Sequence, residues 1–289
     1  MDATSPDGRA TTRQECKPSK NLSHLPCWSH LPDGCKPNAR YMNDIQLNAV
    51  KPGMRATVVD WLIDLSVGNH FRDDTLHLAV VLFDMYLSRH VVPTQRLQLV
   101  GAVSLLVASK YDEVYSLTVD KCVHFCANMY PRNEVVMFER QFLNGIDYRL
   151  RVPTISLLIR ELQGGDLTTL HLSAYFAEVV TMNIEYLSFP LMDIGCACVL
   201  LARWCTYPHV PITELWDENI YSLSQVPLEI LRSALCFIAE CVRKEYGVKG
   251  TSSAIPQHKL EAIRRKYSTT ARGSIALLPL PNVLDQLEL

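Results

Sequence analysis

Apolar residues recur at helical spacing along most of the chain, and no segment alternates for long enough to form a half-buried strand. MRATVVDWLIDL, residues 54–65, has an unusual pattern, because its apolar residues form two stripes at about 100° per residue where a surface helix needs one. The first stripe contains Met54, Val58, Trp61 and Leu65. The second contains Ala56, Val59, Leu62 and Ile63. Arg55 lies within this apolar arc, which predicts a buried partner for its charge.

The same periodicity predicts ten helices, several of which start at or just after a proline, where a missing N–H costs no helical hydrogen bond. The predicted helices of the first half span 54–68, 74–89, 95–111, 118–128 and 132–145. Those of the second half span 154–162, 168–187, 191–206, 212–221 and 228–246. The fold class is therefore predicted to be all-α.

An internal repeat has a constant offset of 94 residues. TLHLAVVLFDMYLS begins at Thr75 and TLHLSAYFAEVVTM at Thr169, while VGAVSLLVASKY begins at Val100 and IGCACVLLARWC at Ile194. Two matches at one offset predict two tandem five-helix bundles. We expect a mostly disordered segment at 1–35, bundles at 36–150 and 151–250, and a C-terminal helix with an extended tail at 251–289.

Helix 74–89 is apolar on nearly every face, so Asp84 is predicted to be a buried carboxylate that needs a positive partner. Arg55, in the apolar arc of the preceding helix, can supply that charge. We therefore predict a structural Arg55–Asp84 ion pair joining the two helices. A catalytic role for Asp84 is the alternative.

Composition and charge exclude several classes of function. The chain has 289 residues, 48% of them hydrophobic, and a net charge of −2, so it has no global positive field for nucleic acid. It contains no uninterrupted run of about 18 apolar residues and no apolar N-terminal signal, so neither a membrane span nor export is expected. The ten cysteines are then expected to be reduced thiols of a nuclear or cytoplasmic protein.

Three stretches resemble the cyclin family, specifically the A- and B-type cell-cycle cyclins. MRATVVDWL resembles the opening of the cyclin box, LQLVGAVSLLVASKYDEVY (97–115) resembles its central motif, and SIALLPLPNVLDQLEL resembles the tail of A-type members. The resemblance implies a regulatory subunit, not an enzyme, that binds a cyclin-dependent Ser/Thr protein kinase and controls cell-cycle progression in the nucleus and cytoplasm. It implies no metal and no other cofactor.

The resemblance also implies where the kinase binds. In the family, a Lys–Glu pair in the first box contacts the kinase backbone, and the matching residues here are Lys110 and Glu139. Leu143 and Tyr148 match apolar positions that face the kinase. The alternatives are that the two charges are ordinary solvated surface residues and that Leu143 belongs to the core.

A second implied site is a shallow groove that takes substrate or inhibitor peptides with an Arg-x-Leu motif. The matching residues are Met54, Val58, Trp61, Asp64, Leu65 and Gln98. Trp61 would form the apolar floor, Asp64 would attract the basic residue of the peptide, and Gln98 would bind its backbone. Thr57 departs from the Ile or Leu usual in the family, which predicts a weaker or altered groove. Alternatively, this stripe packs against the N-terminal segment.

Two rival functions remain. A metalloenzyme is suggested by Cys122, His124 and Cys126, but His124 points away from the face shared by the two cysteines, and the CxxC spacing of zinc sites is absent. A two-repeat transcription or adaptor protein without kinase activation, built like TFIIB-type factors or the retinoblastoma pocket, would have the same fold. The low net charge argues against a DNA-binding version.

Overall fold

The computed structural model describes residues 37–47, 49–162, 166–245 and 261–277. The segment predicted to be disordered, 1–35, lies outside the described residues, as does the last part of the predicted extended tail, 278–289. Within the described ranges the regular secondary structure is helical throughout, with thirteen α-helices and short 3-10 turns. The fold is therefore all-α, as the periodicity predicts.

The first bundle is built around α3 and α4, the two helices with the most buried residues in this half. Its helices are α1 (Tyr41–Asp44), α2 (Pro52–Gly68), α3 (Asp73–Leu87), α4 (Leu97–Asp112), α5 (Val119–Phe125) and α6 (Arg132–Gly145). Pro52 lies in the first turn of α2, and Pro131 caps α6, so neither proline removes an internal hydrogen bond.

The second bundle follows the same plan around α8 and α9. Its helices are α7 (Ile155–Leu162), α8 (Leu167–Met182), α9 (Leu191–Thr206), α10 (Ile212–Leu215), α11 (Glu218–Ser224) and α12 (Leu228–Glu245). A last helix, α13 (Glu261–Tyr267), packs back onto α2 and α8, and of the two 3-10 turns that follow it, Thr270–Arg272 and Ile275–Leu277, the second also contacts α8. The C-terminal segment therefore contacts both bundles.

The helix boundaries reproduce the repeat. Helices α3 and α8 begin at residues 73 and 167, and α4 and α9 begin at 97 and 191, so each pair is separated by the predicted 94 residues. The two bundles are thus equivalent in their central helices, and equivalent positions can be compared directly.

Three departures from the predicted helices have clear local causes. Helix 168–187 ends as an α-helix at Met182, because Asn183 adopts an extended backbone and its side chain accepts a hydrogen bond from the Glu185 amide at the start of a 3-10 turn. Helix 212–221 breaks into α10 and α11, because the Asp217 side chain caps α11. The short helix α1 was not predicted, since four residues are too few to show a period.

Polar contacts join the two bundles along α3 and α7. Asp74 on α3 accepts a hydrogen bond of 2.8 Å from the Ser156 hydroxyl and forms an ion pair with Arg160, both on α7. Among the described helices, none has the length and the apolar composition that a membrane span requires.

Candidate functional site

The structure brings the predicted pair Arg55 and Asp84 together at the centre of the first bundle. Arg55 binds the carboxylate with two parallel bonds, from Nε to Oδ1 at 2.8 Å and from Nη2 to Oδ2 at 2.7 Å, and both side chains are fully buried. Tyr41 on α1 donates a third hydrogen bond to Oδ1 at 2.8 Å. Burial, and next the Asp84 charge, raise the pKa of the Tyr41 hydroxyl, which keeps it protonated as a donor.

Arg55 also crosses between the bundles. Its Nη1 lies 2.7 Å from the carbonyl oxygen of Thr181 and 3.3 Å from that of Met182, at the C-terminal end of α8. The last carbonyls of a helix lack internal partners and carry partial negative charge, so a buried guanidinium is well placed there. One arginine therefore fixes α2 to its own bundle and to the other. This explains a charge within the apolar arc of α2.

The structure also brings together the two predicted kinase-contacting charges. Lys110, at the end of α4, and Glu139, in the middle of α6, form an ion pair with 2.5 Å between Nζ and Oε1. The Lys110 side chain is 41% exposed and that of Glu139 is 14% exposed. A lysine with three donors, one of them satisfied by Glu139, can still donate to a partner at this surface.

Exposed apolar side chains lie on the same two helices and in the turn that follows α6. Tyr148, predicted to face the kinase, is 58% exposed. Leu143 is partly buried and packs against the core, so it serves the bundle as well as the surface. Sequence reasoning missed Tyr111, directly after Lys110, and Val136, one turn before Glu139, both of which are exposed. The i, i+3 spacing of Val136 from Glu139 could have identified it, whereas no helical spacing connects Tyr111 with the pair.

Tyr148 has an unusual backbone for a bulky residue. Asp147 and Tyr148 have φ values of 55° and 54°, in the left-handed region. The turn is held by hydrogen bonds from the Tyr148 amide to the carbonyl oxygen of Leu143 and from Arg89 to that of Gly145. Strained positions of this kind persist only where surrounding contacts enforce them, and they concentrate at binding surfaces.

The predicted groove residues lie where α2 meets α4. Packing within the first bundle partly buries them. Val58 is only 9% exposed and packs against Gly101, where a Cβ would come within 2.6 Å of its Cγ1, so this predicted groove residue belongs to the core between α2 and α4. Trp61 and Leu65 are partly buried, and Met54 is exposed. The Gln98 amide lies 3.5 Å from the carbonyl oxygen of Phe125, a distance that leaves it able to bind elsewhere.

Asp64, the predicted acidic residue of the groove, has a partner within the chain. Its Oδ2 lies 2.5 Å from Nη2 of Arg265 on α13. The neighbouring carboxylate of Asp60 accepts a hydrogen bond of 3.1 Å from the Ala262 amide, in the first turn of the same helix. Helix α13 therefore contacts α2 at two acidic residues, one of them a predicted groove residue, and the sequence did not predict this contact.

A second buried charge cluster joins α13 to both bundles. Lys266 forms ion pairs with Asp73 on α3, at 2.8 Å, and with Glu178 on α8. Tyr267 donates to Glu178 at 2.9 Å, and Arg272 binds both oxygens of Asp73 at 2.6 and 2.8 Å. The sequence signal for Glu178 was available, because it is the charge in the apolar helix 94 residues after Asp84.

The two carboxyls of this cluster respond differently to burial. Burial would raise the pKa of Asp73, but the nearby Lys266 and Arg272 charges lower it well below its ordinary value. Glu178 is more deeply buried, so burial prevails over Lys266 and its pKa is raised. The ionised form of Asp73 is therefore strongly stabilised, while the ionised form of Glu178 is destabilised by its burial.

The cysteines considered as metal ligands are packed in the core. Cys122 and Cys126 are buried free thiols, and His124 is exposed. Across the described residues, no three His, Cys, Asp or Glu side chains are grouped closely enough to hold a metal ion. Their role there is that of small apolar side chains.

Comparisons with known proteins agree with this architecture. The first bundle matches the family model described as Cyclin, N-terminal domain, over residues 29–151, and the second matches Cyclin, C-terminal domain, over 155–281. The chain is 35% identical to Cyclin-A2-2 of Arabidopsis thaliana over 260 residues, which is 87% of this chain and 56% of that protein. It is 30% identical to a G2/mitotic-specific cyclin of Glycine max over 241 residues, covering 81% and 86%.

The fold is also similar to that of a viral cyclin from herpesvirus saimiri, with a TM-score of 0.59 and 16% identity over 71% of this chain and 94% of that one. The chain spans about half the length of the first curated relatives that it matches.

Proposed function

The chain belongs to the cyclin family of non-catalytic kinase regulators, as a distant homologue of its A- and B-type members, and on that premise we propose that it is the regulatory subunit of a cyclin-dependent Ser/Thr protein kinase. The observation that carries this proposal is the partly exposed Lys110–Glu139 ion pair between α4 and α6, two helices that also bear the exposed side chains of Tyr111 and Val136. A surface that combines hydrogen-bonding charges with exposed aromatic and aliphatic side chains has the composition of a protein-binding hot spot.

The proposed mechanism is a shift between two kinase conformations. Lys110 supplies donors and Glu139 acceptors for backbone groups beside the mobile helix of the kinase, while Tyr148 and Tyr111 supply the apolar contact area. A subunit that binds the active arrangement more tightly than the inactive one raises the population of active kinase by the ratio of the two affinities. The rigid turn at Tyr148 limits the entropy lost on binding.

Substitution of the charged pair tests this proposal. Lys110→Ala and Glu139→Ala should each abolish co-purification of a kinase from cell extract and histone-kinase activity of the bound fraction. The helical content should be unchanged, because both residues lie at the surface. Lys121→Ala is a matched control, since Lys121 is another exposed lysine of the same bundle, outside the proposed contact. Full kinase activation by the double variant would overturn the assignment of the contact to this pair, and a wild-type chain that captures and activates no kinase would leave the adaptor alternative.

We further propose control of cell-cycle progression, recruitment of Arg-x-Leu substrates or inhibitors, and a location in the nucleus and cytoplasm. Support for the cell-cycle role comes from the A-type and G2/mitotic relatives. Support for recruitment comes from the partly exposed stripe of Met54, Trp61 and Leu65 beside Asp64. Kinase activity of the immunoprecipitated chain across synchronised cells, together with its location by microscopy, tests the cellular part. Activity that is constant through the cycle would contradict it.

A further inference from the structure

The ion pair between Asp64 and Arg265 is the feature of the C-terminal segment that lies nearest to the proposed groove. Both side chains are partly exposed, at 42% and 59%, so water and a partner can reach them. Arg265 also lies 3.8 Å from Glu261 on its own helix. Asp64 therefore meets any incoming peptide with its charge already balanced by a cation of the same chain.

The geometry of α2 places Asp64 at the border between two surfaces. Asp60, which binds the first turn of α13, is about 40° from Asp64 around the helix, and Trp61 is about 60° away on the other side. Arg265 thus approaches Asp64 from α13, and a peptide seated over Trp61 would approach it from the groove. The carboxylate has two oxygens, and Arg265 binds Oδ2. A basic residue of the peptide that binds Asp64 while Arg265 stays in place would therefore share the single negative charge of Asp64 with Arg265.

We propose that Arg265 is a specificity-determining residue of the proposed docking groove, which lowers the preference for a basic residue in the docked peptide. This inference rests on the proposed docking function. A peptide guanidinium must either displace Arg265 or lie beside a like charge. Both reduce the extra binding affinity that the charged peptide has over one with an uncharged side chain. The groove is then expected to select its peptides mainly by apolar contact with Trp61 and Leu65.

The size of the expected effect on peptide preference follows from the exposure of the Asp64–Arg265 ion pair. Ion pairs between partly exposed side chains are weak, so Arg265 is displaced at modest cost and the preference for a basic residue is lowered rather than abolished. Removing Arg265 should raise the affinity ratio between a charged and an uncharged peptide by about two- to fivefold at low ionic strength. The same change should diminish in high salt, because screening acts on both guanidinium groups.

Two peptides that differ in one group test the proposal. The full chain is titrated with a fluorescent Arg-x-Leu peptide and with the same peptide carrying citrulline, an uncharged isostere, in place of the arginine. Arg265→Gln should raise the ratio of the two affinities, and Arg265→Lys should keep the wild-type ratio. Arg264→Gln is the matched control, because it removes one positive charge from the same helix without touching Asp64.

The outcomes separate this inference from the proposed function. An unchanged or lower ratio for Arg265→Gln would overturn the specificity role and leave the groove itself intact. Asp64→Asn should bring the ratio close to one whether residue 265 is Arg or Gln, and a ratio that stays high would show that another acid binds the peptide. Failure of both peptides to bind any variant would overturn the docking function and this inference with it.

Discussion

Asp84 and Glu178 occupy the same place in the two bundles, as the twelfth residue of α3 and of α8, 94 positions apart. Both are fully buried carboxylates, and each has a cation and a tyrosine hydroxyl among its hydrogen-bond partners. Arg55 and Tyr41 serve Asp84, from helices that precede α3. The partners of Glu178, Lys266 and Tyr267, lie in α13, after the second bundle. Both halves of the repeat therefore contain the buried acid. Its cation and phenol come from helices before the first bundle's α3 in one half and from α13, after the second bundle, in the other.

The two acids differ in how well they are satisfied. Both oxygens of Asp84 accept hydrogen bonds. Glu178 uses Oε1 for Lys266 and Tyr267, while its buried Oε2 has no hydrogen-bond partner among the described residues. An unsatisfied buried acceptor costs about 1–3 kcal/mol. The second site is therefore the weaker of the two.

Arg55→Ala should destabilise the fold by about 3–5 kcal/mol, because it leaves Asp84 charged and buried without its partner. The measurement is the urea midpoint of unfolding followed by circular dichroism. Arg72→Ala is a control, since Arg72 is 55% exposed in its ion pairs with Asp112 and Glu113, and such pairs contribute about 0–1 kcal/mol. Equal losses for the two variants would contradict the buried role of Arg55.

Lys266→Met should also cost several kcal/mol, because it removes the shared cation from Asp73 and Glu178 at once. Glu178→Leu in the same chain should recover a large part of that loss, since it removes the buried acid whose charge is then uncompensated. Thermal unfolding of the two single variants and the double variant measures this coupling. Additive losses would show that Lys266 acts through Asp73 alone.

The raised pKa of Glu245 predicts that the stability of the fold depends on pH. Burial, and next the Asp60 charge, raise its pKa from 4.5 to about 7. The folded chain therefore holds a proton that the unfolded chain releases between these values, and Glu245 destabilises the fold increasingly as pH rises from about 4.5 to 7. Glu245→Gln should stabilise by on the order of 1–2 kcal/mol at pH 8 and have little effect near pH 4.5. If Glu245→Gln stabilises the fold by the same amount at every pH, the predicted titration of Glu245 is wrong.

The docking groove and the kinase contact lie on different parts of the first bundle, so their functions should separate. Trp61→Ala should reduce phosphorylation of a protein substrate with an Arg-x-Leu motif, mainly through KM, by removing an aromatic anchor, and such anchors often contribute ≥ about 2 kcal/mol. Kinase binding and phosphorylation of a short peptide without the motif should be retained. Loss of the fold in this variant would instead identify Trp61 as a core residue.

Thr57 provides a graded version of the same test. Its hydroxyl is exposed and donates to the carbonyl oxygen of Gly53 at 2.9 Å, one turn earlier in α2. Thr57→Ile adds apolar area beside Trp61 without disturbing the core, so it should tighten docking. Thr57→Val is the matched control for loss of the hydroxyl at nearly constant volume. Unchanged docking in both variants, together with no effect of Trp61→Ala, would end the groove hypothesis.

The sequence by itself determined the all-α class, the two-bundle repeat and most helix boundaries. These are local properties: a period of 3.6 residues, prolines at helix starts and one constant offset all appear within short windows. The Arg55–Asp84 pair was also within reach, because a charge in an apolar arc must be neutralised by something nearby. The breaks at Asn183 and Asp217 were not predicted, since a single capping side chain outweighed a continuing apolar pattern there.

Only the tertiary structure decided which distant segments meet. Arg265 reaches Asp64 across 201 positions, Lys266 reaches Glu178 across 88, and Arg55 reaches the carbonyl oxygen of Thr181 across 126. No period in the sequence encodes such contacts, because they depend on how the two bundles pack and where the chain returns after α12. The partner of a buried charge is chosen by whichever cation this packing brings within reach. The sequence could therefore predict that a buried acid such as Glu178 needs a partner, but not that α13 supplies it or that α13 also reaches Asp64.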